Sequence, residues 1–333
     1  MNTFGTLFKI TIIGESHGDI VGVVIDGCPA GLPLTIEDFK EDLMRRRPET
    51  KGVTSRKEED IPIIKSGVYK GRTNGFPITI LFENKDTVSE VYEEMKFLPR
   101  PGHADFTAYQ KYGGFNDPRG GGQFSGRLSV AIVAAGVVAK KLIKPVEPHA
   151  QLIEIGGRKD FLAAIEEAEK ERETLGGIVE CKVSNVPVGL GEPFFDSFES
   201  LLSHMVFSIP GIKGIEFGRG FESSRMKGSE YNDEIISKEG RTKTNNCGGI
   251  QGGITNGNEV VFRVAVRPTP SVRKRQRTVD LRTGRSTEIE IKGRHDICFA
   301  LRIPVILEAA CSIVIADLMM MEQRIRRVWN EEK

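Results

Sequence analysis

Strand-like and helix-like segments mix along this chain without the regular alternation of βαβ units. That order predicts an α+β fold rather than a doubly wound parallel sheet. No stretch among the 333 residues is long and polar enough to be a linker, so residues 1–333 are expected to form one domain. The third observation is a glycine excess: 37 residues, well above the usual ~7%, with no Gly-X-Y period. So many glycines mark places where the backbone needs positive φ or passes close to something else.

Leu7 to Ile13 reads as a strand, followed by the Gly14-Glu-Ser-His-Gly18 loop and a second strand from Ile20 to Ile25. Such a hairpin holds Ser16 and His17 at its tip. Thr35 and Asp38 form a capping-box pair, and Ile36, Phe39 and Leu43 then share one helical face. This helix ends in Arg45-Arg46-Arg47 before Pro48, with its positive charges at the negative end of the dipole. Further strands are expected at Ile63–Ser66, Phe76–Phe82, Gly177–Ser184, Ile212–Phe217 and Glu259–Val266. Further helices are expected at Gly126–Ile143, Phe161–Glu173, Phe198–Phe207 and Pro304–Trp329, the last apolar nearly all round in its first half and so buried there. Arg127–Ala135 and Arg302–Ala310 share an opening Arg, a Val and an Ala-Ala pair. A duplicated half would explain the echo, and so would chance likeness between two apolar helices.

Forty-seven basic against 46 acidic side chains leave a net charge of +1, which argues against a dedicated nucleic-acid binder. The five cysteines are scattered and form no C-x-x-C pair, so neither a disulfide framework nor a zinc site is expected. The N-terminus lacks the basic and apolar regions of a signal peptide. The longest apolar stretch, Leu128 to Ala139, broken only by Ser and Gly, falls short of the ~20 residues that span a bilayer. These features together predict a cytoplasmic protein.

Three of the five histidines lie in loops dense with Gly and charge: Gly14-Glu-Ser-His-Gly18, Arg100-Pro-Gly-His-Ala-Asp105 and Gly293-Arg-His-Asp296. Imidazole can both give and take a proton near neutral pH, so His17, His103 and His295 are acid–base candidates. His149 and His204 have no such company. No helix carries paired His at ligand spacing, so no metal is expected. Pro118-Arg-Gly-Gly-Gly-Gln-Phe-Ser-Gly-Arg127 leads into an apolar helix, and a Gly-rich loop before a helix N-terminus is a ready anion site. It fits neither a P-loop nor a convincing dinucleotide fingerprint, and a flexible surface loop is the alternative. Gly248–Gly253 has similar potential, while the basic run Arg267–Arg277 is either a solvated loop or an anion site. These loops describe an enzyme acting on a phosphorylated, carboxylated or nucleotide-like ligand, without saying which reaction.

In combination the motifs are more specific. Gly14-Glu-Ser-His-Gly18, Asp26–Leu34, Arg45-Arg-Arg-Pro48, Arg100-Pro-Gly-His-Ala-Asp105, Lys111-Tyr-Gly113, Arg119–Gly122, Asn232-Asp-Glu234, Gly248–Gly253 and Gly293-Arg-His-Asp296 resemble, in order, those of the chorismate synthase family. The resemblance runs from residue 4 to about residue 325. It implies a sandwich of antiparallel sheets and helices. The implied reaction is anti 1,4-elimination of phosphate from 5-enolpyruvylshikimate 3-phosphate, giving chorismate in the shikimate pathway, with reduced FMN and no net redox change. An NADPH-dependent flavin reductase is the alternative activity. The family pattern makes His17 the general acid at the leaving phosphate. It places His103 near the flavin, where it stabilises or protonates the reduced form, and Asp296 in proton removal. For substrate it implies Ser16, Arg45, Arg46, Arg100 and Arg127, with Arg46 serving NADP or a substrate anion. For FMN it implies Gln123, Phe124, Ser125, Pro210, Gly211, Gly252, Arg267, Pro268, Thr269, Pro270, Ser271 and Arg294. A homotetramer is implied as well.

The chain also departs from the family pattern. Gln123 and Leu128 stand where Arg and Glu are common, so a charge and its partner are missing together. After the triple Arg, Pro-Glu-Thr-Lys replaces Pro-Gly, which leaves Lys51 as a weak substitute for a second NADP contact. Cys247 stands where His is common. With no extra nucleotide-binding segment evident, an external flavin reductase is expected to supply reducing equivalents rather than NADPH bound by this chain.

Overall fold

The computed structural model describes residues 2–54, 58–85, 96–291, 293 and 295–329. Its first sheet contains β1 (Thr3–Phe4), β2 (Lys9–Gly14), β3 (Ile20–Asp26), β4 (Ile63–Ser66) and β5 (Ile78–Glu83), ordered β1-β2-β3-β5-β4. A second sheet contains β6 (Glu147–Ile155), β7 (Gly177–Ser184), β8 (Ile212–Phe217) and β9 (Val260–Val266), ordered β8-β9-β7-β6. All neighbouring strands are antiparallel. A separate hairpin pairs β10 (Arg275–Val279) with β11 (Ser286–Glu290). The main helices are α1 (Lys40–Arg46), α2 (Asp105–Tyr112), α3 (Ser129–Leu142), α4 (Phe161–Glu171), α5 (Phe198–Phe207) and α6 (Ile303–Met321). Antiparallel sheets with helices make this an α+β fold, as the irregular element order predicts.

The core lies between the sheets. Alternate residues point inward along the strands, such as Ile78, Ile80 and Phe82 on β5 and Val260, Phe262, Val264 and Val266 on β9. Against the inner faces lie α3, on β2 and β3, and α6, on β6 and β7, with the two helices packed on each other. A Cβ at Gly136 would overlap that of Ala309, so only glycine permits this approach. Residues Ser129–Ala139 of α3 and Val305–Leu318 of α6 are buried without interruption, which is why neither helix shows a polar face. The run Phe299–Met321 is long and apolar enough to cross a membrane, yet 89% of its most apolar window is buried inside the molecule. It is therefore a core helix.

The two halves share a topology. Each runs two adjacent strands, a helix, a third strand, a fourth inserted between the second and third, and then a buried helix. With α2, α4 and the β10–β11 hairpin set aside as insertions, the sequences are β2-β3-α1-β4-β5-α3 and β6-β7-α5-β8-β9-α6. Arg127 and Arg302 each lie in the short 3-10 turn that opens the buried helix, so their echo marks equivalent positions. Shared topology favours a duplicated half over chance.

Two carboxylates tie distant segments together. Glu308, in the middle of α6, accepts hydrogen bonds from both terminal nitrogens of Arg45 at 2.7 Å, Lys140 Nζ at 2.9 Å and the Ala150 N–H at 3.0 Å. Burial works to raise its pKa, but Arg45, Lys140 and the Ala150 N–H hold the carboxyl below its ordinary range. Asp317, further along α6, accepts from the N–H groups of Thr6, Leu7 and Phe8 at 2.6–2.8 Å.

Some expectations shift. The last helix ends at Met321 rather than Trp329: the chain turns through Gln323, at φ 55°, and the Trp329 N–H donates to Ala30 O at 2.8 Å. Part of the basic run is strand, not loop, because Arg275 and Arg277 lie opposite Glu290 and Glu288 in the β10–β11 hairpin. Gly248–Gly253 occupies a chain crossing, where a Cβ at Gly248 or Gly249 would overlap backbone of Gly218 or Glu259. Close backbone approach explains Gly248 and Gly249.

Replacing Glu308 with Ala should cost about 2–4 kcal/mol, because it strands one buried N–H and removes the counter-ion of two partly buried cations. Chemical denaturation would show this as a lower midpoint, and an unchanged midpoint would mean that Glu308 does not tie α1, α3 and β6 to α6.

Candidate active site

The first hairpin places Ser16 and His17 in the turn between β2 and β3. Asn84 holds this turn by donating to Glu15 O at 3.0 Å and Gly18 O at 2.8 Å. The glycine-rich loop folds over it, with Gly120, Gly121 and Gly122 at φ 58°, 83° and 51°. The Ser16 N–H donates to Gly122 O at 3.2 Å, and the His17 ring packs so closely on Gly120 that a Cβ there would overlap Cδ2 and Nε2. Both the conformation and the space at residue 120 demand glycine. Ser16 is fully buried, and its hydroxyl has no partner among the described residues.

A cavity of about 350 Å³ opens between this loop, the end of α1 and the starts of α3 and α6. Ser16, His17, Arg46, Arg100, His103, Phe124, Ser125, Arg127, Pro210, Gly211, Arg267, Pro268, Thr269, Pro270, Ser271 and Asp296 all line it. Residues from seven separate stretches of sequence thus meet in one place. Three candidates stand outside. Arg45 turns away onto Glu308 and Asp42, where its guanidinium is already used. Gln123 does not reach the cavity wall formed by its neighbours Phe124 and Ser125. Gly252 is exposed in the turn between two short paired segments, with nothing near its Cα that a side chain would meet. Arg294 lies outside the described residues.

Aspartates hold most of the arginines. Asp60 pairs with both Arg46 and Arg127. Arg302 forks onto Asp296 at 2.9 and 3.1 Å, and the Thr54 N–H donates to the same carboxylate at 2.7 Å. Arg302 also donates to Arg46 O at 3.1 Å, which couples the two arginines. Arg100 grips Asp105 at 2.7 and 2.8 Å, and Arg119 grips Asp117 at 2.8–3.2 Å. Burial, opposed by Asp60 and assisted by Arg127 and Arg302, lowers the Arg46 pKa to about 10.

The histidines differ in environment. His103 Nε2 lies 2.8 Å from the Ser271 hydroxyl and Nδ1 3.2 Å from Pro101 O. Burial first, then the nearby Arg100 charge, pushes its pKa down to about 4, so the ring is neutral at neutral pH. His295 also lines the cavity and is pushed down by burial, Arg100 and Arg273. At His17 the nearby charge is of the other sign: the attraction between Asp117 and His17 lowers the Asp117 pKa, after the larger effects of burial and Arg119. His204 instead packs edge-on against Phe4, 5.4 Å between centroids.

Sequence reasoning missed Asp60, Arg302, Asp117 and Phe299 as neighbours of the site. Arg302 was visible as half of the internal echo. Asp60 sits in the acidic run Glu58-Glu59-Asp60, which reads as solvated surface.

Comparison with known proteins gives a consistent result. The family model described as chorismate synthase matches residues 8–320. The chorismate synthase of Chitinophaga pinensis is 57% identical, with 99% of this chain and 100% of that protein covered. That of Dehalococcoides mccartyi BAV1 is 45% identical, with 98% and 99% covered. A crystal structure of chorismate synthase superposes with a TM-score of 0.74 at 26% identity, covering 96% of this chain and 93% of that one.

A Gly120→Ala variant should keep its far-ultraviolet circular dichroism but lose ~10²-fold or more in turnover, as displaced proton-transfer groups do. Normal turnover would show that His17 need not sit where the glycine puts it. The His103 ring should remain neutral in an NMR titration until the pH approaches 4. Its folded pKa lies below the unfolded value of ~6.5, so the unfolded chain takes up a proton first and stability should fall as pH drops through that window. His103→Gln should flatten this part of the stability profile.

Proposed function

The chain belongs to the chorismate synthase family, and we propose that its cavity eliminates phosphate from 5-enolpyruvylshikimate 3-phosphate by the anti 1,4 route with reduced FMN bound. The observation that carries this reading is the convergence of His17, His103 and Asp296 with four buried arginines on one cavity.

The residues present suit a flavin nucleotide. The cavity falls within the ~300–1,000 Å³ of small-molecule sites. Phe124 and Phe299 offer flat apolar walls, and the Thr269 hydroxyl is buried without a partner among the described residues. Phe124, Ser125, Pro210, Gly211 and the Arg267–Ser271 segment would hold the cofactor. Bound there in reduced form, FMN would supply electron density for C–O cleavage and recover it, leaving no net redox change.

The protein's own groups divide the remaining work. Losing phosphate creates negative charge on the leaving oxygen, which calls for a positioned acid. His17 takes that role, with Asp117 close by, whereas His103 is held neutral chiefly by its burial and then by Arg100. His103, with both ring nitrogens engaged by Ser271 and Pro101, would orient the cofactor as a fixed neutral ring. Asp296 faces the cavity with its carboxylate held by Arg302 and the Thr54 N–H, in position to assist removal of the ring proton. Ser16, Arg46, Arg100 and Arg127 bind the substrate's phosphate and carboxylates, with donors organised before the ligand arrives.

The reducing equivalents come from an external reductase in this reading. Arg46, whose family counterpart meets NADP or a substrate anion, is only 5% exposed and faces Asp60. Lys51 is engaged by Glu166 at 3.1 Å and Glu169 at 3.6 Å. Association into a homotetramer is supported by exposed apolar side chains, among them Phe194, Phe195, Phe221 and Ile235. The single-domain reading is supported by the shared core of the two halves.

With photoreduced FMN and no oxygen, the protein should release phosphate and form chorismate in equal amounts. Phosphate-free turnover of NADPH instead would favour the flavin reductase. Under air, NADPH and FMN without added reductase should give no chorismate. His17→Ala and His103→Ala should each slow turnover ~10²-fold or more, and near-normal rates in both would remove their assigned roles.

A further inference from the structure

Asp60 lies between α1 and β4, at φ 52°, with its side chain fully buried. It pairs with Arg46 and Arg127 and lies 3.5 Å from Nε of Arg47. Arg46 ends α1 and Arg47 caps it, while Arg127 stands in the turn that opens α3. One carboxylate therefore gathers guanidiniums from two elements. The arginines line the cavity and Asp60 does not. Arg127 is fixed further by Asn84 Oδ1 at 3.0 Å and Glu83 O at 3.4 Å.

Physical chemistry makes this arrangement demanding. Like charges this close repel strongly away from water, and Arg302 adds a fourth cation beside Arg46. Without a counter-ion, the buried guanidiniums of Arg46 and Arg127 and the partly exposed one of Arg47 would spread or draw in water, and ordering them again would weaken binding of any ligand. With Asp60 in place, three guanidiniums against one carboxylate leave a surplus of two positive charges. Arg46 Nε keeps an unused donor among the described residues. Even with the buried carboxylate of Glu58, which also lines the cavity, positive charge remains to meet a phosphate anion.

We propose that Asp60 is a positioning residue for phosphate. It fixes where the guanidiniums of Arg46 and Arg127 present themselves to the cavity, and with how much net charge. The phosphate site needs only the geometry, whereas its identity with the substrate's leaving group rests on the function proposed above.

The test uses the full-length protein loaded with FMN, in wild-type, Asp60→Asn and Asp60→Glu forms. Inorganic phosphate is titrated by calorimetry, FMN affinity is read by fluorescence, and KM and kcat are measured with the phosphorylated substrate. In the Asn variant, phosphate affinity should fall at least tenfold and KM rise by a similar factor, with a smaller change in kcat. The Glu variant, whose carboxylate sits one methylene further out, should show the same changes at about threefold to tenfold. FMN affinity should stay within threefold of wild type in both, since Phe124 and the Arg267–Ser271 segment lie apart from Asp60. If the Asn variant does not fold, the Glu variant decides. Wild-type phosphate affinity and KM in either folded variant would overturn the proposal, and so would parallel loss of FMN binding, which marks a general collapse. Should the wild-type protein form no chorismate, the functional reading fails, while the phosphate titration still judges Asp60.

Discussion

The contact between Gly136 and Ala309 is the constraint on which this architecture turns. Two helices without a polar face can be buried only against each other and against a sheet on either side. Their closest approach leaves no room for a side chain at residue 136. Once α3 and α6 lie together, their N-terminal turns bring Arg127 and Arg302 to the same cavity. The loops preceding those turns carry the glycine-rich segment on one side and His295-Asp296 on the other. The site is thus a seam between two half-molecules of like topology, and its residues come from both.

A chain of almost no net charge can still hold an intensely charged pocket, because its arginines are paired locally. Asp60, Asp105, Asp117 and Asp296 each hold one or more of them. Seen from afar the pairs cancel. Inside a poorly solvated cavity they set the directions of the donors before a ligand arrives, so binding does not have to arrange them. The same environment bears on the histidines: burial first, then Arg100, keeps His103 neutral against the opposing pull of Asp105, while Asp117 attends His17.

Much of this was legible in the sequence, for definite reasons. Strands with clear alternation, such as Gly177–Ser184 and Val260–Val266, occur where expected to within a residue, because one face is more buried than the other. The His17 hairpin followed from two apolar runs around a glycine-bounded loop. By contrast β6 carries Pro148, a bulge between Leu152 and Glu154, and several polar residues, so its period is obscured. In α2 only Ala108 is buried, and a helix without an apolar stripe gives no signal. Gly248–Gly253 looked like a ligand floor because composition cannot distinguish close approach to a ligand from close approach to another strand. Asp60 escaped notice because a carboxylate in an acidic run looks like surface until three arginines are folded onto it.

The hydrogen bonds from Thr6, Leu7 and Phe8 to Asp317 bear on how the molecule is born. They join residues about 310 positions apart, and Trp329, which closes on Ala30, is made later still. At ~5–20 residues per second, a ribosome needs roughly 15–60 s to deliver those partners after the first strands emerge. From the synthesis of α3, for somewhat more than half of that interval, its face around Gly136 lacks the helix that finally covers it. The nascent chain, more than the finished molecule, is the state most exposed to aggregation and most in need of a chaperone.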